Sequence, residues 1–307
     1  MKIVVAGAGG AIGGYLVPRL VAEGHQVVGL TRAPSGAVRV RELGAEPVVA
    51  DLLDADGLLT AVRGLRADAV IHQATALDRV PMLHRHLYPT NALRDQGTRN
   101  LLRAATELGA GRFLTQSFFL GYGYRDHGSG LVTEEQPFAQ ASGTAFDVHL
   151  RSMHANETSV FTAPGIEGIA LRYGLFYGKD AATDELVRRL RARGLPVPHP
   201  GAITSLIHLD DAAAATVAAL HHGRPGHAYN IVDDEPTSFA DYLRELAATH
   251  DAPPPREVPG WLLRPLPYPY AVLVGTRLRV SNALAKTHLA WTPKYPSHRE
   301  GLRARER

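Results

Sequence analysis

Short apolar runs rich in Val and Ile alternate, through the first two thirds of the chain, with longer stretches whose apolar positions recur every three or four residues. "KIVVAG" (2–7), "QVVGLTR" (26–32), "EPVVADL" (46–52), "DAVIHQAT" (68–75), "GRFLTQS" (111–117) and "GIEGIALRYG" (165–174) read as strands. Residues 11–23, with Ile12, Leu16, Leu20 and Val21 as apolar positions, read as a helix that Pro18 should bend slightly. Longer helices are expected at 91–109 and 146–158. Strands that are apolar almost throughout, separated by helices, imply a parallel sheet covered on both faces, with right-handed crossovers. The fold class is therefore α/β.

Past residue 175 the pattern loosens. A helix is expected at 181–194, and "TSLIHLDDAAAATVAAL" (204–220) reads as a strand entering a helix, with Asp210 or Asp211 as its N-terminal cap. "AYNIVDD" (228–234) is a further strand and 237–250 a further helix. "DAPPPREVPGWLLRPLPYPY" (251–270) is Pro-rich and too irregular for a sheet core, so it is expected to wrap over a site. No internal repeat is visible.

The first strand runs into Gly7-x-x-Gly10-x-x-Gly13 and from there into a helix, the context in which a glycine motif carries chemistry. Gly7 permits a tight turn, Gly10 lets backbone approach a diphosphate, and Gly13 lets helix and strand pack closely. The helix N-terminus supplies N–H donors to the anion. A dinucleotide is the ligand this turn suits. The second strand ends in Thr31 and Arg32, with no acid to accept from a ribose 2′-hydroxyl. A guanidinium there favours a 2′-phosphate, hence NADP(H) over NAD(H). Asp51, ending the third strand, is placed to meet adenine or to cap the next helix.

Composition narrows the chemistry. The 307 residues are 45% hydrophobic and 21% charged, as in an ordinary globular protein. Cysteine is absent, which removes thiol catalysis, Cys-based zinc sites and iron–sulfur clusters. A net charge of +3 is too small to mark a nucleic-acid binder. The Arg-rich stretches 185–194 and 298–307 read as solvated helix faces. Fifteen histidines are present, but "HRH" (84–86) and "HH" (221–222) lack partners at helical ligand spacing, so no metal site is expected. The opening "MKIVVAGAGG" lacks the features of a signal peptide, and no apolar run reaches the roughly 18 residues of a membrane helix. A cytoplasmic protein with a small-molecule substrate is expected, without a nucleic-acid or membrane partner, as a monomer or a homodimer.

Several segments taken in order carry a family resemblance: "GAGGAIGG" (7–14), "VVADLLD" (48–54), "VIHQAT" (70–75), "TNALRDQGTRNLLRAA" (90–105), "LTQSFFLGYG" (114–123), "ALRYGLFYG" (170–178) and "LIHLDDAAAATVAAL" (206–220). Together they resemble the extended or atypical short-chain dehydrogenase/reductases, the branch that holds NAD(P)-dependent epimerases and dehydratases. The resemblance covers nearly the whole chain. It implies a Rossmann-type doubly wound domain from residues 1–174, joined by 203–232, and a smaller C-terminal substrate-binding part from 175–202 and 233–307. It also implies that the dinucleotide is held by Gly7, Gly10, Ala11, Ile12 and Gly13, by Arg32, Asp51 and Leu52, and by Ala74, Thr75 and Tyr173.

The departures from that family bear on catalysis. The place of its catalytic Ser or Thr falls on Phe118, with Ser117 adjacent. Glu157 registers the places of its Tyr and Lys on His149 and Met153. There is no Tyr between Tyr124 and Tyr173 and no Lys between Lys2 and Lys179, so a shifted register does not restore the pair. Three proton sources remain open: His149, a tyrosine among Tyr122, Tyr173 and Tyr177, or an acidic hydroxyl on the substrate itself. Phe118, Phe119, Tyr122, Phe176 and Tyr177 would line a pocket for a large flat aromatic substrate. On these grounds the chain resembles tyrosine-less ketoreductases that tailor aromatic polyketide antibiotics such as angucyclinones. The expected activity is NADPH-dependent reduction of a carbonyl on a bulky aromatic substrate. The alternatives are a non-catalytic NADP(H) sensor and a nucleotide-sugar epimerase or dehydratase.

Overall fold

A computed structural model describes residues 1–77 and 81–304. The chain opens as β1 (Lys2–Ala6), α1 (Gly13–Ala22), β2 (Gln26–Thr31), α2 (Pro34–Glu42), β3 (Glu46–Val49), α3 (Ala55–Val62) and β4 (Ala69–His72). It continues as α4 (Tyr88–Ala92), a π-helical turn (Leu93–Gly97), α5 (Thr98–Leu108), β5 (Arg112–Phe118), α6 (Asp147–Phe161) and β6 (Glu167–Tyr173). Then follow β7 (Leu175–Tyr177), α7 (Ala181–Arg191), β8 (Val197–His199), β9 (Ile203–Thr204), β10 (Leu206–His208), α8 (Leu209–His222) and β11 (Ala228–Ile231). The last elements are β12 (Thr237–Ser238), α9 (Phe239–Thr249), β13 (Glu257–Pro259), α10 (Pro267–Tyr270), α11 (Ala283–Leu289) and α12 (His298–Arg303).

Seven strands form one sheet in the order β11-β6-β5-β4-β1-β2-β3. Every pairing in it is parallel. Successive residues of a strand face opposite ways, so apolar runs bury both faces. Val5, Ile71 and Leu171 meet α1 and α8 through Leu16, Leu20 and Ala212. Val4, Val70 and Phe113 meet α3 and α5 through Leu58, Val62 and Leu101. Each such fully buried large apolar side chain contributes roughly 2 kcal/mol. The expected α/β fold with a doubly wound parallel sheet is what forms. Among the described residues no helix is long and apolar enough to cross a membrane.

Two expectations change. The helix anticipated over 91–109 is interrupted, because Leu93–Gly97 takes a π-helical turn between α4 and α5. Such turns bulge the backbone and re-aim side chains. Neither Asp210 nor Asp211 caps α8: His208 does, its Nδ1 accepting from the Asp210 N–H at 3.1 Å. Asp210 instead pairs with Arg19, and Asp211 accepts from the Lys294 and Tyr295 N–H groups, tying the C-terminal segment to the sheet domain. Pro18 lies on the solvent side of α1, and the helix runs through it. In α7 Arg188 and Arg189 pair with Glu185, and Arg191 donates to the His250 carbonyl. Residues 305–307 of the second Arg-rich stretch lie outside the described residues.

Candidate active site

Strand order reverses between β1 and β4, whose ends lie together with Ala6 opposite His72. Ligands of open parallel sheets bind at such a crevice. Gly7 has φ +83°, and a Cβ there would stand 2.7 Å from the Ala74 backbone nitrogen. A Cβ at Gly13 would stand 2.2 Å from the Ala8 carbonyl oxygen. Only glycine fits either place. At Gly10 the nearest obstacle would be the Gly7 carbonyl at 3.3 Å, and Gly9, Gly10 and Ala11 are exposed while Ile12 is buried beneath them. The turn thus leaves its backbone open in front of α1, and the residues present fit a dinucleotide diphosphate.

Arg32 follows β2 and is exposed. Arg39, which sequence reasoning missed, reaches back from α2 over the same turn: its guanidinium would lie 3.5 Å from a Cβ at Gly14. Its only local signal was a second basic residue shortly after Arg32. Asp51 is half-buried, one carboxylate oxygen accepting from the Leu53 N–H at 2.9 Å, with Leu52 buried beside it. The Ala74 carbonyl accepts from Gln116 Nε2 at 3.1 Å, and Thr75 is exposed next to it. Tyr173 is buried, its hydroxyl accepting from Gln73 Nε2 at 2.9 Å and bonded to Thr216 Oγ1 at 2.6 Å. Burial pushes that phenol up, so it holds its proton.

The hydroxyl next to the family's serine place is already engaged. Ser117 Oγ donates to Glu157 at 2.6 Å, and Glu157 takes a paired hydrogen bond from Arg172 at 2.9 and 2.7 Å. Arg172 also donates to the Tyr122 hydroxyl at 2.8 Å, which donates on to Asn230 at 2.9 Å. This network joins β5, β6, β11 and α6. The hydroxyls of Ser117 and Tyr122, expected to serve catalysis and substrate, are both spent on buried partners in this structure. Phe119 is 1% exposed within an apolar cluster, and Tyr177 is buried with its hydroxyl donated to Asp233 at 2.9 Å. Both are held by contacts within the fold. Phe118 and Phe176 remain half-buried.

His149, on α6, is 1% exposed and meets His84, with Nε2 and Nδ1 2.9 Å apart. The Asn91 side-chain amide donates to His149 Nδ1 at 2.8 Å, so the ring proton sits on Nε2 and is donated to His84. The proton of His84 is then on its Nε2, which is buried without a partner. Burial drives His149 down to about 4, helped by His84 and Arg94. At neutral pH it is an uncharged imidazole with both nitrogens occupied, a poor proton donor. Met153, at the place of the lysine, is wholly buried.

Around this pair stands an aromatic group. The His84 ring lies 4.6 Å from Phe146 and 5.8 Å from Tyr268, and Tyr124 lies 4.2 Å from Phe146. Tyr268 comes from α10, inside the Pro-rich stretch expected to wrap over a site. Sequence reasoning missed His84, Asn91, Arg94, Tyr124, Phe146 and Tyr268, which no local motif connects. Arg94 projects from the π-helical turn, is 6% exposed, and sits over the Phe118 ring at 5.6 Å. Elsewhere, Glu23, His25 and His221 bring ligand-capable atoms within 4.8 Å of one another, a grouping the sequence spacing did not show. In this cluster both histidines approach the Glu23 carboxylate, at the C-terminal ends of α1 and α8.

The comparisons fit this geometry. A family model described as the NAD dependent epimerase/dehydratase family matches residues 3–232. A Streptomyces protein named 3-diazoavenalumate denitrifying reductase is 36% identical over 98% of this chain and 99% of its own. The 4-hydroxy-2-methyl-3-oxo-4-farnesyl-3,4-dihydroquinoline-1-oxide ketoreductase of Stigmatella aurantiaca is 26% identical over 81% of this chain and 73% of its own. The UDP-glucose 4-epimerase of Thermus thermophilus, solved with NAD, superposes with a TM-score of 0.76 at 25% identity, covering 99% of this chain and 97% of that one.

Proposed function

The chain belongs to the NAD dependent epimerase/dehydratase family, and from that premise we propose that it is an NADPH-dependent ketoreductase of bulky aromatic, polyketide-like substrates whose proton comes from the substrate itself. When bound, the dinucleotide supplies a hydride. Gly7, Gly10 and Gly13 open the turn to its diphosphate, and Arg32 with Arg39 offers two cations to a 2′-phosphate. Phe118, Tyr124, Phe146 and Tyr268 orient a flat ring system and keep water from it. The observation that carries the reading is the neutral His149, held between Asn91 and His84 where an acid would stand. A phenol hydrogen-bonded to the reacting ketone would provide the acid in its place.

The test is a steady-state assay with NADPH and an aromatic ketone bearing a neighbouring hydroxyl, set against the methyl ether of that hydroxyl. Loss of turnover on methylation, with NADPH still bound, is the expected result. Equal turnover of the two would end the substrate-assisted reading, and NADPH binding without turnover of any acceptor would favour a sensor. The relative named as a denitrifying reductase favours a second reading of the same site. An aryl diazonium that accepts a hydride becomes an arene plus dinitrogen and takes no proton from the protein. Dinitrogen release from a benzenediazonium salt in the same assay separates the two.

A further inference from the structure

Arg94 is 6% exposed, and it makes no hydrogen bond or ion pair among the described residues. Its Nε is buried without a partner. Burial lowers its affinity for its proton, and only the Tyr124 and Tyr268 phenols act against that. A guanidinium nevertheless keeps its charge in proteins, so the aromatic corner holds a cation that no described residue compensates. The nearest acid in sequence, Asp95, pairs with Arg99 and points elsewhere. The other surroundings are Phe118, with the guanidinium over its ring, and the neutral histidines His72 and His149. Phe118 and Tyr124 beside it are half-buried. A second buried donor without a partner, His84 Nε2, faces the same Tyr268.

We propose that Arg94 is the receptor for an anionic oxygen group, a carboxylate or a phenolate, carried by the aromatic substrate. The inference rests on the reading of this corner as the substrate site, and it narrows the substrate to an aromatic anion. The π-helical turn has a purpose on this account: it turns the guanidinium inward, away from the solvent face that a charged helix residue ordinarily takes. Bound, the anion supplies the counter-charge that the fold withholds.

Isothermal titration calorimetry on the full chain saturated with NADP tests this without requiring turnover. The probes are 2-naphthoate with its methyl ester, and para-nitrophenolate with para-nitroanisole, at a pH above the phenol's pKa. The acid or the phenolate should bind about 10- to 100-fold more tightly than its neutral partner. Whichever pair shows the difference identifies the anion. Arg94→Met should abolish that preference and leave NADP affinity unchanged, and Arg94→Lys should restore part of it. Equal binding of charged and neutral probes to the native chain overturns the proposal, and that comparison needs no variant to fold. Loss of NADP affinity in Arg94→Met also overturns it, by assigning the cation to the dinucleotide. A chain that binds naphthoate through Arg94 but reduces no carbonyl would refute the ketoreductase reading and leave this one standing.

Discussion

Among the described residues two guanidiniums are taken out of water, and the chain treats them in opposite ways. Arg172 is 7% exposed and holds Glu157 through two hydrogen bonds, with the Tyr122 hydroxyl taking a third. Arg94 is equally buried, yet no carboxylate faces it among the described residues. A helix separates their surroundings: α6 gives Glu157 to the first and His149 to the second. The first is architecture, pinning β5, β6 and α6 in register. The second is a corner whose polar groups end in unmet donors, and a fold tolerates that where something else completes them.

The widest test of the contrast is stability. Glu157→Gln should cost about 3–5 kcal/mol, because it leaves Arg172 buried and uncompensated. Arg94→Met should be neutral or stabilising, since it removes a charge that is already uncompensated. Urea unfolding of both variants checks this, and a large loss in Arg94→Met would erase the distinction.

The pH dependence comes next. Burial holds His149 and His72 at about 4, below their ordinary 6.5. Between those values the unfolded chain binds more protons than the folded one, so stability rises with pH there. It should be complete above about pH 6.5 and fall by on the order of 3 kcal/mol for each histidine as pH drops toward 4. His149→Phe should flatten about half of that slope in unfolding curves taken across the range.

A smaller effect concerns the opposite end of the crevice. Arg32→Ala should weaken NADPH by about 10- to 100-fold and NADH hardly at all, with Arg39→Ala doing the same to a lesser degree. Fluorescence titration of both coenzymes measures it. The smallest expected change is catalytic: His149→Phe should lower kcat by less than about tenfold, whereas losing a true general acid typically costs 10²–10⁴-fold. A drop of that larger size would put the proton on the protein.

Much of the fold was legible because its determinants are local. Apolar runs and helical periodicity mark the strands and helices, and the steric demands of Gly7 and Gly13 mark the turn. Arg32 at the end of β2 is similarly visible, since its place follows from counting along one strand. The candidate site was legible only by position, and position did not show the surroundings of Ser117, Phe119, Tyr122 and Tyr177. Each has the chemistry of a site residue, but Ser117, Tyr122 and Tyr177 spend their hydroxyls on buried partners and Phe119 lies in the core.

By itself, then, the sequence determined the parallel sheet, the glycine turn and the loss of the tyrosine–lysine pair. Only tertiary structure decided that His84 meets His149, that Tyr268 covers them and that Arg94 is buried without a counter-ion among the described residues. The physical reason is that backbone preference belongs to neighbouring residues, whereas desolvation and hydrogen-bond partners belong to whatever the packed chain brings alongside.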